Sequence, residues 1–219
     1  MKGHKNSPRR IYFSGAIYYI VFKTKNNYLY FKEPIFCDLF IENLKICKQL
    51  KGFKLYAFSI IYDHINLIIE PNNEFNISKV IKSIRENISR DINVVMGYTH
   101  KYFNPLVGET PAFRLRAWKF IIELCKERID YNYEVKKFDI EIYKRKFINK
   151  FGDKIPYPKF KWQLSFYDHY IRFYENYLKK QRDWDYHYNY TVYNHLKHGL
   201  PENWKYTSLN YPEMIDSFI

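Results

Sequence analysis

Between Phe53 and Val95 the hydrophobic period of the chain changes once, and that change limits the fold more than any other feature. Phe53–Tyr62 and His64–Glu70 read as two extended runs around a tight turn near Asp63, closed by Pro71-Asn72-Asn73. Apolar residues then recur at helical spacing as Ile77, Val80, Ile81, Ile84, Ile88, Ile92 and Val95, behind Asn76 as N-cap. The opposite face of that helix carries Lys79, Lys82, Arg85 and Arg90. A paired sheet and a one-sided helix each need an apolar partner, so they cover one another.

The flanks extend the pattern. Arg10–Lys23 reads as a long strand ended by Lys25-Asn26-Asn27, and Cys37–Leu50 as a helix that stops at Lys51-Gly52. Lys161–Tyr170 supplies a last strand, with a helix following from about Phe173 to His198. Strand-helix-strand-strand-helix-strand is the order of an α+β fold, a ferredoxin-like or RRM-like antiparallel sheet with helices on one face. Residues 97–160 exceed this minimal fold. They read as a basic helical insertion, with one helix opening at Thr110-Pro111 and another over Asp139–Phe151 exposing Lys144, Arg145, Lys146 and Lys150. The expectation is one domain over residues 1–219.

Two short stretches carry chemistry. Residues two apart on a strand share a face, so His64 and Asn66 point the same way. Residues four apart on a helix are neighbours, so Tyr190 and Asn194 address one place. If strand and helix meet, a divalent ion fits between His64, Asn66 and Asn194 beside the Tyr190 hydroxyl. The bland reading has His64 as a structural histidine and Tyr190 as one of 23 tyrosines, with Tyr186 one turn earlier as a rival nucleophile.

Charge points to the partner. Lys and Arg number 36 against 23 Asp and Glu, a formal net charge of +13, and aromatics make up 21% of residues. Cations for phosphates and rings for unpaired bases suit a nucleic acid. An AT-rich genome, which enriches Lys, Asn, Ile, Tyr and Phe, is the competing explanation. Cys37, Cys47 and Cys125 form no CxxC pair, which suggests neither a disulfide framework nor a zinc ribbon. Ile11 to Phe22 is interrupted by Ser14-Gly15 and reads as a strand, with no signal segment. No apolar run approaches the roughly 18 residues of a membrane span, so a cytoplasmic protein is expected.

Three marks, in order, resemble the HUH single-tyrosine nucleases and most closely the REP-associated tyrosine transposases. They are Asp63-His64-Ile65-Asn66-Leu67, the run from Trp162-Gln163 through Asp168-His169-Tyr170-Ile171-Arg172, and Tyr190 through Lys197-His198-Gly199 followed by Asn203-Trp204. The resemblance covers residues 10–96 and 161–208. It implies a transposase-like endonuclease of DNA recombination, in which Tyr190 attacks single-stranded DNA next to a hairpin. A 5′-phosphotyrosine and a free 3′-hydroxyl result. It implies Mg²⁺ or Mn²⁺ at His64, Asn66 and Asn194, with no nucleotide cofactor. Lys79, Lys82, Arg85, Arg90, Arg172 and Lys197 are the candidate DNA contacts, the insertion is either core padding, a dimer contact or a stem clamp, and a homodimer is compatible. Asn66 stands where the family has its second histidine and His195 where it has proline, and the stretch before Tyr190 is about two turns longer. A hairpin-DNA binder without cutting, or an RNA-binding module, are the alternative functions.

Overall fold

A computed structural model describes Phe13 and residues 15–98, 140–152, 155–172 and 177–218. The sheet is built from β1 (Tyr18–Lys23), β2 (Lys54–Ile61), β3 (His64–Glu70) and β4 (Tyr167–Tyr170), in the order β2-β3-β1-β4 with every neighbour antiparallel. Val21, Asn66 and Ser59 lie in one cross-strand row, and Lys23, His64 and Ile61 in another. Strand alternation then divides the residues between two faces. Tyr18, Ile20, Phe22, Ile65, Leu67 and Ile69 enter the main core, whereas Ile17, Tyr19 and Ile68 enter a smaller cluster on the reverse side. A register shift between Leu55 and Ala57 sends both Tyr56 and Ala57 to that reverse side, as an inserted bulge residue does.

The main core is closed by α1 (Pro34–Lys51) and α2 (Ile77–Val95). Helix α1 starts three residues before the sequence expectation because Pro34 occupies its first turn, where a missing N–H costs nothing. It ends at Gly52, whose φ of 58° is the left-handed conformation that glycine adopts freely, with its N–H on the Lys48 carbonyl. Asn76 caps α2 as expected, its side chain accepting from the Lys79 N–H at 3.0 Å. The helix α3 (Ile140–Phe151) confirms the second helix expected in the insertion and sends Phe147 into the main core. The helix expected near Thr110-Pro111, the start of the first strand and Cys125 lie outside the described residues.

The last expected strand is shorter than the sequence suggests. Gln163 N donates to Lys23 O and Trp162 bridges Thr24, then the run breaks at Leu164, 98% exposed, before pairing resumes in β4. The reverse face of the sheet is covered by α4 (Tyr177–Val192), whose Trp184, Tyr188, Tyr190 and Val192 pack on Ile17, Tyr19 and Tyr56. The sequence suggested one helix to His198, but it is interrupted at Tyr193 (φ −103°, ψ 14°) and followed by the single turn α5 (Asn194–Lys197). Among the described residues no helix is long and apolar enough to cross a membrane.

Candidate metal and tyrosine site

The reverse face of the sheet is where the buried histidines gather. His64 and Asn66 point there from β3, and Asn194 descends onto them from α5; all three are at most 4% exposed. Asn194 Nδ2 lies 3.1 Å from His64 Nε2, and His64 Nδ1 lies 2.6 Å from Asp63 Oδ1. The carboxylate accepts only, so Nδ1 carries the proton and Nε2 keeps its lone pair toward Asn194. That is the tautomer a metal-bound histidine requires, with a carboxylate fixing the ring from behind. Asn194 Oδ1 is buried without a hydrogen-bond partner among the described residues. A buried carbonyl oxygen without a donor beside an imidazole lone pair is a donor set that fits a divalent ion.

Asn66 is placed differently. Its Oδ1 accepts from the Tyr19 hydroxyl at 2.9 Å and its Nδ2 donates to Ser59 Oγ at 3.3 Å. Tyr190 packs beside Tyr19, the two ring centroids 6.0 Å apart and edge to face. The Lys197 ammonium lies 4.0 Å from the centre of the Tyr190 ring, within cation–π range. Tyr186 is 63% exposed, with its ring 6.2 Å from that of Tyr190. Tyr190 is half-buried and shares its apolar surroundings with Ile68 of β3.

Electrostatics follow from these contacts. Partial burial pushes the Asp63 carboxyl up, but the His64 hydrogen bond and charge, with Lys23, outweigh it and hold the group below its ordinary value. Burial first, then His64, lowers His198, whose ring centroid is 4.8 Å from that of His64. Burial, with the phenols of Tyr190, Tyr167 and Tyr186, raises Tyr19, so this phenol stays a hydrogen-bond donor to Asn66. The buried His195 ring lies between two carbonyl oxygens, Val192 O and Glu202 O, each 3.2 Å from a ring nitrogen, and faces the turn.

Lys79, Lys82, Arg85 and Arg90 are not brought to this centre. They sit on α2, on the other side of the sheet, where Lys82, Arg85 and Arg90 join Lys159, Lys161 and Gln163 around a groove of about 830 Å³. Lys82 pairs with Glu86 at 3.8 Å, Arg90 Nε lies 2.8 Å from Asp91, and Arg85 donates to the Gln163 carbonyl. Arg172 is exposed beside α4, where its backbone N–H donates to Asp183. Sequence reasoning overlooked Tyr19 and the carboxylate role of Asp63. Alternation puts Tyr19 on the face of Val21, but only the pairing of β1 with β3, which sets Val21 opposite Asn66, brings Tyr19 to this site.

Residues 12–106 match the family described as Transposase IS200 like. A structure of a REP-associated tyrosine transposase bound to a REP hairpin superimposes with a TM-score of 0.56, at 14% identity, covering 94% of this chain and 84% of that one. At that identity the likeness establishes the fold. A crystal structure assigned to a transposase from Deinococcus radiodurans R1 aligns at a TM-score of 0.34 and 14% identity, over 55% of this chain and 97% of that one. No curated protein sequence matches the chain.

Proposed function

We propose that this chain, whose residues 12–106 match the IS200-like transposase family, is a metal-dependent transesterase of single-stranded DNA with Tyr190 as nucleophile. The observation that carries the reading is the line from Asp63 through His64 to Asn194, which sets the His64 Nε2 lone pair against the Asn194 amide and leaves the Asn194 carbonyl oxygen buried without a partner among the described residues. His64 and Asn194 would hold the ion, with the Asn66 oxygen, which accepts from the Tyr19 hydroxyl, as the third candidate ligand. Bound there, Mg²⁺ or Mn²⁺ supplies Lewis acidity to a scissile phosphate.

The chain's own groups do the rest. The Tyr190 oxygen forms a bond to phosphorus, the bond from phosphorus to the 3′-oxygen breaks, and that oxygen leaves as a free 3′-hydroxyl after taking up a proton. The phenolic proton goes to solvent. The 5′-phosphotyrosine keeps the bond energy, so a second 3′-hydroxyl reverses the step without a nucleotide cofactor. Lys197, over the Tyr190 ring, meets the phosphate in this reading, and Arg172, exposed beside α4, meets another. The solved neighbour holds a REP hairpin; we extend a hairpin partner to this chain, with the α2 groove taking duplex phosphates. The reading assumes one domain acting in the cytoplasm.

The test is a denaturing gel of the purified chain with Mn²⁺ and labelled single strands from the flanks of its own gene. A covalent adduct is expected, lost in Tyr190→Phe and kept in Tyr186→Phe. A second reading, hairpin binding without cutting, is favoured by the hydrogen bonds that occupy both Asn66 amide atoms. Tight hairpin binding with no adduct across several metals would establish that reading instead.

A further inference from the structure

We propose that His169, Asp183 and His187 form a zinc site separate from the His64 and Asn194 centre. His169 comes from the edge strand β4, and Asp183 and His187 from one face of α4 at the i, i+4 spacing. Their ligand atoms all lie within 4.8 Å of one another. His169 Nε2 is 3.3 Å from both Asp183 oxygens, and His187 Nε2 is 3.4 Å from Asp183 Oδ1.

At 3.3–3.4 Å these are weak hydrogen bonds at most, and the same separations suit a shared metal. Two ligands of a tetrahedral zinc, each at about 2.0–2.1 Å from the metal, stand about 3.3 Å apart. The two histidine-to-carboxylate separations therefore match edges of a zinc tetrahedron. Two imidazoles and one carboxylate suit zinc better than Mg²⁺ or Ca²⁺, which prefer all-oxygen sets, and water takes the fourth position. The carboxylate is also oriented from behind, as ligands in metal sites are, since the Arg172 backbone N–H donates to Asp183 Oδ2 at 2.8 Å.

The consequence is positional. A metal here joins β4 to α4 three residues before Tyr190, and the His187 ring lies 4.6 Å from that of Tyr19, which holds Asn66. The inference stands whether or not the chain cuts DNA.

The experiment uses the full chain, stripped with chelator and titrated with Zn²⁺ and with Co²⁺ as a spectroscopic probe. One zinc equivalent is expected, with the visible bands of tetrahedral Co²⁺, both kept in His64→Gln. His169→Gln and Asp183→Asn, shown folded by circular dichroism, should bind Zn²⁺ at least tenfold more weakly and lose the cobalt bands. Unchanged zinc binding in those variants overturns the site, as does its loss in His64→Gln. Should both variants unfold, the cobalt bands of His187→Cys decide: a new thiolate-to-cobalt charge-transfer band supports the site, and an unaltered spectrum overturns it.

Discussion

At position 66 an amide stands on the face where an imidazole would give the strand a second strong metal ligand. The side chain earns its place by other bonds, from Tyr19 and to Ser59. Asn66→His should therefore act in two opposite directions. Mn²⁺ binding, followed by calorimetry, is expected to tighten by about tenfold or more, roughly 1.4 kcal/mol. Stability in the absence of metal should fall by about 1–3 kcal/mol, the cost of leaving the buried Tyr19 hydroxyl without its acceptor. Affinity that stays level would mean that position 66 does not face the ion. That His64 and Asn194 meet was legible in the sequence because spacing on a strand and on a helix turn fixes direction. Tyr19 was not, since its role depends on which strand neighbours β3, and pairing between distant segments has no local signature.

Elements follow periodicity until a tertiary contact overrides it. The run from Lys161 to Tyr170 has the residues of one strand, yet it breaks because Trp162 turns inward. Its indole packs 4.9 Å from Phe22, 4.8 Å from Phe160 and 5.8 Å from Phe31, ring centre to ring centre, while its N–H donates to Arg85 O at 3.0 Å. The Trp-Gln pair, read from sequence as a family mark, is in this chain a bolt between the sheet edge and α2. Trp162→Ala should cost about 3–5 kcal/mol in urea unfolding, as truncations of large buried aromatics do. A loss below 1 kcal/mol would show that the indole is not a core residue. The break at Tyr193 has a related accompaniment: the buried His195 ring, set between the carbonyl oxygens of Val192 and Glu202, ties the turn to the chain that follows it. Periodicity cannot report that, because the residues on either side keep helical spacing.

Seen whole, the molecule is one sheet with two unlike faces. The side under α1 and α2 holds the larger apolar core and buries Asn43, Asp91 and Asn93 in hydrogen bonds, while the side under α4 buries the histidines His64, His187 and His195 with Asn66, Thr191 and Asn194. Acid should therefore attack the protein through the second face. His187 lies below the ordinary histidine value of 6.5 because of burial and then His169, with Asp183 opposing; Tyr19 packs on its other side. His198 is lowered by burial, then by His64, Lys23 and Lys197, against Asp63. A depressed folded value means that the unfolded chain binds the extra protons. The stabilisation is thus complete above 6.5 and is lost as pH falls from there through the depressed folded values. Asp63, also lowered, adds a second loss beneath its ordinary 3.8. Urea midpoints of the metal-free chain are expected to hold level above about pH 7 and to drop toward about pH 5. The slope should shrink in His187→Gln and again when His198→Gln is added. A midpoint flat across that range in the unaltered chain would mean that neither ring is buried neutral, and that the second face opens to water as readily as the surface does.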